Sequence, residues 1–231
     1  MTAPLDPPQD PSNPDVTAGG SKTLVLGVLG GIASGKSTVA KLLIGSSGVL
    51  IAADAMAHAV LEDPEVVGQI AATFGEDVLL SDGSVDRPAL GAFVFADAAK
   101  RRQLESWIHP RVRANIWADL RRARAAGVPV VVLDVPLLLE NDAQHNLRSE
   151  CDHLVFVEVS AEERDRRARR DRGWAAGEVE RREAAQLPLA EKRAAADAIV
   201  DGNGSLAELE QDVRSLMHRL GIGEPPTAID V

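Results

Sequence analysis

Short apolar runs alternate along this chain with longer stretches in which apolar positions recur at helical spacing. Residues 24–29 (LVLGVL), 49–53 (VLIAA), 130–133 (VVVL) and 154–159 (LVFVEV) are short and nearly all apolar, which predicts buried strands. Residues 198–200 (AIV) predict a weaker fifth strand. A helix is expected after the first strand, with Val39, Leu42 and Leu43 on one face, and a second over residues 55–61. Asp63-Pro64 opens a third, which closes near Phe74-Gly75, and residues 81–84 make a turn. Residues 87–126 read as almost wholly helical, with a break expected at His109-Pro110. A charged helical stretch over 161–186 is interrupted at Gly173 and Gly177. Ser205 caps a last helix carrying Leu206, Leu209, Val213, Leu216 and Leu220. Strands separated by helices predict an α/β fold, a parallel sheet covered on both faces, with ligands outside the carboxyl ends of its strands.

Between the first strand and its helix lies Gly30-Gly31-Ile32-Ala33-Ser34-Gly35-Lys36-Ser37, which meets G-x-x-x-x-G-K-[ST] at every fixed position. Glycines let the backbone turn so that several N–H groups face phosphate oxygens, and the helix N-terminus adds partial positive charge. Lys36 is placed to reach the β- and γ-phosphates, the Ser37 hydroxyl to ligate Mg²⁺, and Thr38 to stand near the α-phosphate. The motif in this context predicts a P-loop NTPase-type three-layer α/β/α fold that binds a nucleoside triphosphate with Mg²⁺.

Composition narrows the partners. The formal net charge is −10, which argues against a general nucleic-acid binder. Eighteen of the 25 Lys and Arg lie within residues 100–124 and 164–193, so the phosphate-binding cations are local. Screening confines exposed charge to about 8 Å at physiological salt, and local arginines therefore outweigh a distant acidic excess. No apolar run approaches the roughly 18 residues of a membrane span. The single cysteine, Cys151, leaves no internal disulfide and fits a reducing compartment. The five histidines show no zinc-type pairing with one another or with Cys151. Residues 1–20 lack the basic start and apolar centre of a signal peptide; a disordered tail and a cytoplasmic location are expected. One domain over residues 21–222 follows, and residues 223–231 form a loose tail.

Three further features fall near the expected site. Asp54 closes the second strand, where a carboxylate can orient an attacking hydroxyl and accept its proton, or can cap the helix that follows. Asp134 follows four apolar residues, in the manner of a second Mg²⁺-side carboxylate. In the run from Glu162 to Arg172, Arg166 and Arg170 share one helical face. They belong either to a solvated, ion-paired helix or to a lid that closes over phosphates.

With these residues in hand, the chain from about residue 24 to 220 resembles the dephospho-CoA kinase family. The phosphate loop with Thr38 is similar to G-G-I-G-S-G-K-S-T, and Ile51-Ala52-Ala53-Asp54 to I-D-A-D. Asp86-Arg87 through Phe95 is similar to D-R-x-x-L…V-F, Ile108-His109-Pro110 to L-H-P, and Asp134–Glu140 to D-V-P-L-L-F-E. Arg166 with Arg170-Asp171 resembles R-x-x-x-R-D, and Gln186 to Gly204 the closing Q…E-K…A-D…D-N-x-G. The resemblance implies transfer of the ATP γ-phosphoryl group to the ribose 3′-hydroxyl of dephospho-CoA, the last step of coenzyme A synthesis. It implies a helical acceptor-binding insertion over residues 55–126 and a lid over 160–189. Asp54 would be the base, Asn203 would lie near the adenine, and His58, Arg87 and His109 would stand on the acceptor side. A monomer or weak homo-oligomer acting on a small molecule is expected.

Two positions depart from the pattern. Ala33 replaces a loop glycine, which is acceptable only at negative φ. Ala52 replaces the first carboxylate of I-D-A-D, leaving Asp54 alone and more of the metal to Asp134. Another P-loop small-molecule kinase, for a nucleotide, shikimate or a sugar acid, shares the loop and lid but not necessarily the insertion. A nucleotide-binding regulator needs neither Asp54 nor an arginine lid, and the N-K-x-D motif of a GTPase switch is absent.

Overall fold

The structure, a computed structural model, describes residues 22–95 and 97–222; the expected tails at 1–20 and 223–231 lie outside them. In chain order the strand β1 (Leu24–Gly30) leads into α1 (Lys36–Leu43), and β2 (Val49–Ala52) into α2 (Ala53–Val60). Helices α3 (Pro64–Phe74), α4 (Arg87–Phe95) and α5 (Ala98–Ala125) precede β3 (Val130–Asp134). A short α6 (Asp142–His145) is followed by β4 (His153–Glu158), α7 (Ala161–Arg172), α8 (Glu178–Glu183) and α9 (Leu189–Ala194). The described chain ends with β5 (Ala198–Asp201) and α10 (Leu206–Arg219).

The five strands form one parallel sheet in the order β2-β3-β1-β4-β5, as their separation by helices predicts. Successive side chains of a strand point to opposite faces, so the central strands feed two cores. On one face Leu26, Val28, Val132 and Val155 pack with Val39 and Leu43 of α1 and with Val213 and Leu216 of α10. On the other, Val25, Ile51, Val131 and Leu133 pack with Val66 and Ile70 of α3 and with Ile116 and Leu120 of α5. Every residue of β3 is buried, which explains its unbroken apolar sequence.

Local chemistry sets several boundaries. The Asp63 carboxylate accepts the Glu65 N–H at 2.8 Å and opens α3 ahead of Pro64. Gly173 ends α7 at φ 64°, and Gly177 precedes α8 at φ 78°, so both glycines interrupt the charged helical stretch where they were expected. Ser205 and Glu208 complete a reciprocal capping box on α10.

Two expectations are corrected. Pro110 does not break its helix: α5 runs unbroken for 28 residues through it, from Ala98 to Ala125, as an element separate from α4 (Arg87–Phe95). Asp97 caps α5 by accepting from Ala99 N at 2.8 Å and Lys100 N at 3.3 Å. Proline removes the ladder bond to the Ser106 carbonyl, but burial of Val112, Ile116, Leu120 and Ala123 holds the helix together. Asp54, in turn, does not close β2. That strand stops at Ala52, and Asp54 is the second residue of α2, whose N-cap is Ala52 with no side-chain cap bond. A capping role for Asp54 is thereby removed.

Candidate active site

The phosphate loop joins β1 to α1 through a backbone that only some residues adopt easily. Gly30 has φ +154° and Gly35 φ +85°, and Gly35 is the N-cap of α1. Among the described residues, no protein acceptor takes the N–H groups of Gly35, Lys36 and Ser37. They form the open end of a helix dipole, suited to an anion. Ala33 sits at φ +59°, contrary to the negative φ its side chain prefers. The loop therefore carries left-handed strain at the position where the resemblance expects glycine.

Lys36 folds back over its own loop, donating to the carbonyls of Gly31 at 2.8 Å and Gly30 at 3.2 Å. Burial pushes its pKa down to about 8, against the pull of Asp134; Lys192 and Arg172 push the same way as burial. Glu183, from α8, accepts the Ile32 N–H at 2.7 Å and is paired with Arg164, a residue only 5% exposed. The Arg164 Nε also donates to the Val159 carbonyl at 3.2 Å. This pair lies hard against the loop: a Cβ on Gly31 would stand 2.7 Å from Glu183 Oε1 and 2.8 Å from Arg164 Nη1. Gly31 is needed there for that close approach.

Ser37 and Asp134, 97 residues apart in sequence, meet at 2.6 Å between Oγ and Oδ2. Asp134 is 9% exposed at the end of β3, and Ala52 is its cross-strand neighbour on β2. A hydroxyl and a carboxylate are the hard oxygen donors that Mg²⁺ takes, with water and phosphate oxygens supplying the rest. The pair fits that ion. Because Ala52 is apolar, Asp134 supplies the carboxylate at this register alone.

A cleft of about 560 Å³ opens beside the loop, walled by Gly35, Thr38, Arg166, Arg167, Arg170 and Leu206. Within it Arg167, not singled out from the sequence, spans the phosphate loop and the turn after β5: Nη1 donates to the Ser34 carbonyl at 3.5 Å and Nη2 to that of Gly202 at 2.6 Å. Arg166 and Arg170 are exposed on the cleft wall, paired with Glu163 and Asp171. Hydrogen bonds from Arg166 and Arg167 hold the Glu163 carboxyl down to about 2. Asn203 is engaged locally, accepting the Ser160 N–H at 2.8 Å and donating to Asp201 at 2.7 Å. Its neighbours Gly202 and Gly204 line the cleft.

A second cavity, about 450 Å³, lies between α2, α5 and the loop after β3. Its wall is largely apolar, with Leu104, Ile108, Val112 and Val135, and includes Asp54 and His109. His58, one turn after Asp54, and Arg87, the first residue of α4, are exposed and do not line it. Leu137 takes φ +57° in this wall, a second left-handed non-glycine residue near the chemistry. Glu140 ties the same segment to the stretch around α9, accepting from Leu187 N at 3.2 Å and pairing with Lys192 at 2.7 Å. Lys192, 4% exposed, also donates to Gln186 at 3.0 Å. Glu183 and Arg167 gave no sequence signal of their own, because their roles rest on contacts between distant elements, and Lys192 stood out only as part of the E-K in the family's closing pattern. Cys151 lies outside both cavities, its thiol pushed up to about 12 by burial, and is inert as a nucleophile.

Among the described residues no helix is long and apolar enough to cross a membrane, and no cluster of three or more His, Cys, Asp or Glu is arranged for a metal. Residues 24–208 match the family model described as dephospho-CoA kinase. A Geobacter sulfurreducens dephospho-CoA kinase is 39% identical over 193 residues, covering 83% of this chain and 96% of that one. One from Shouchella clausii is 44% identical over 183 residues, covering 78% and 90%. The solved dephospho-CoA kinase of Campylobacter jejuni, 21% identical, superposes with a TM-score of 0.63 over 86% of this chain and 97% of its own, a likeness of fold. A phosphate loop at the end of β1, an Asp beyond β2, a buried Asp at the end of β3 and the arginine-rich helix α7 stand in the order of that match: the chain belongs to the dephospho-CoA kinase family, whose reaction is the ATP-dependent phosphorylation of dephospho-CoA in coenzyme A synthesis.

Proposed function

We propose that the protein transfers the γ-phosphoryl group of ATP to the ribose 3′-hydroxyl of dephospho-CoA, with Asp54 as the base on the acceptor side. One observation carries the reading. Asp54 stands in the wall of the apolar cavity two residues beyond Ala52, the cross-strand neighbour of the Asp134 that bonds Ser37. The acceptor cavity thus opens at the strand ends where the phosphates lie. The loop from Gly30 to Thr38 cradles the ATP phosphates, and Lys36 moves from its loop carbonyls to the β- and γ-phosphates. Ser37 and Asp134 hold Mg²⁺, which supplies charge neutralisation on the phosphate oxygens when bound. Asp54 orients the 3′-hydroxyl and takes its proton as the new P–O bond forms; the bond from the γ-phosphorus to the bridging oxygen breaks, and ADP leaves. Orientation contributes more than proton removal when the transition state is loose. Arg166, Arg167 and Arg170 close the lid over the nucleotide and exclude water. Asn203 fixes the turn beneath the adenine, and His109 borders the acceptor. His58 and Arg87 meet the acceptor only after the insertion moves toward the sheet.

The reading is of a monomer or weak homo-oligomer working in the cytoplasm. The test is release of ADP with ATP and Mg²⁺ in the presence of dephospho-CoA, AMP, shikimate, gluconate or no acceptor. Turnover only with dephospho-CoA, yielding a product with the mass of coenzyme A, is expected. Turnover with another acceptor alone would overturn the substrate; ATP binding without acceptor-dependent turnover would overturn the enzyme.

A further inference from the structure

The acceptor cavity contains a polar group that the reaction above leaves without a task. His145 ends α6 and lines the same cavity as Asp54. The Leu147 N–H donates to its Nδ1 at 3.2 Å. Nδ1 therefore carries the lone pair, and in the neutral ring the proton sits on Nε2. Burial lowers the imidazole pKa, against the pull of Asp142 and with Arg113 acting in the same direction, which favours the neutral ring. Nε2 is buried and has no hydrogen-bond partner, in a side chain only 10% exposed.

The neighbours hold that ring in place. Trp117 Nε1 donates to the His145 carbonyl at 3.2 Å, and Arg113 donates to the carbonyl of Gln144. Asp142 Oδ1 lies 3.7 Å from Nδ1 and is itself engaged by the Arg148 N–H at 2.8 Å. Turning the ring over would forfeit the Leu147 bond, so the free donor stays at Nε2. A buried donor without a partner is unfavourable and rare in a folded protein. A ligand oxygen removes that cost.

We propose that His145 is a substrate-binding residue whose Nε2–H donates a hydrogen bond to an uncharged carbonyl oxygen, of the amide type, on the non-nucleotide arm of the acceptor. The inference rests on the reading that the acceptor enters this cavity with its 3′-hydroxyl at Asp54. The donor is neutral, and Leu104, Ile108, Val112 and Ile116 make the adjoining wall apolar. An uncharged carbonyl sheds its water there far more cheaply than a phosphate oxygen does. The amides of the pantetheine arm of dephospho-CoA carry such oxygens.

Two substitutions separate binding from scaffolding. His145→Asn keeps an oxygen where Nδ1 stood, for the Leu147 N–H, and removes the donor. His145→Gln sets an amide nitrogen where Nε2 stood. His145→Asn is expected to raise KM for dephospho-CoA about tenfold, the worth of one hydrogen bond to a neutral group, with kcat and KM for ATP within about twofold of wild type. His145→Gln should restore most of the loss. In wild-type protein with ¹⁵N-labelled histidine, the Nε2–H proton resonance of His145 should move downfield when dephospho-CoA is added. An unchanged KM in His145→Asn, equal losses in both variants, or an unmoved resonance would overturn the assignment. Absence of turnover with dephospho-CoA in the wild type would strike the functional reading instead, so the two failures are distinguishable.

Discussion

The phosphate loop with its cleft and the apolar cavity beside Asp54, proposed as the phosphate and acceptor ends of the site, are built in opposite ways. At the phosphate end a contiguous run, Gly30 to Thr38, supplies the loop, its unsatisfied N–H groups and the lysine, and α7 and α8 lay charged pairs against it. At the acceptor end a largely apolar cavity takes its wall from residues as far apart as Ala53 and His145, on α2, α5, the loop after β3, and α6. A polyanion is held by backbone dipoles and local cations that one motif can fix. A larger, mostly uncharged substrate is held by shape, which only packing can make. Each end also contains one left-handed non-glycine residue, Ala33 and Leu137, but only Leu137 adds its side chain to the cavity wall of the acceptor.

That contrast can be broken first at Asp54, which belongs to the acceptor end. Asp54→Asn is expected to lower kcat by about 10²–10⁴-fold while ATP affinity stays unchanged, measured by coupled ADP release and by calorimetry. Unchanged turnover would leave Asp54 as a mere wall residue. Lys36→Ala strikes the other end: transfer should fall by about 10²-fold or more, and nucleotide affinity should fall with it. A variant that lost turnover but kept ATP affinity would show that the loop amides alone bind the phosphates.

The support beneath the loop is next. Arg164→Met strands the Glu183 carboxylate beside Gly31 and should cost about 3 kcal/mol of stability in chemical unfolding. Unfolding midpoints that match the wild type would mean that the Ile32 N–H satisfies Glu183 by itself. Ala33→Gly removes the left-handed strain and should stabilise the fold by about 0.5–1 kcal/mol, raising Tm by roughly 2 °C. Leu137→Gly, with a similar φ, should instead weaken dephospho-CoA binding because the cavity wall is lost.

The smallest effect is a proton. Burial holds Lys36 near pKa about 8 in the nucleotide-free protein, so between that value and the ordinary lysine value of 10.5 the native state binds fewer protons than the unfolded chain. Stability therefore rises with pH across that window, and the penalty of the buried charge is fully present below it. Bound phosphates favour the charged form, so ATP binding at pH 8 should take up about half a proton. Calorimetry in buffers of different ionisation heat measures it; proton release would refute the assignment of Lys36 to phosphate.

The same contrast explains what could be read without coordinates. The loop, the strands and both lid glycines were legible because each depends on a few neighbouring residues: an apolar run, a φ that glycine tolerates, a cap three residues from its partner. Pro110 misled because its local preference opposes the helix, while the buried face of α5 supplies more than one lost ladder bond. Asp54 was placed correctly next to a strand end but assigned to the wrong element, since β2 and α2 share a junction with no intervening turn. Among the arginines, spacing identified a face but not the member that reaches Ser34 and Gly202.

By itself the sequence determined the phosphate chemistry, the parallel α/β order and the family, because these reside in contiguous motifs whose backbone geometry is set by the residues that compose them. Only the tertiary structure decided that Ser37 meets Asp134, that Glu183 takes the Ile32 N–H, that Arg167 rather than its neighbours touches the loop, and that His145 joins Asp54 in one cavity. Those contacts join residues brought together by the crossing of strands and helices, and hydrogen bonds at 2.6–2.7 Å depend on positions in space that no local spacing encodes.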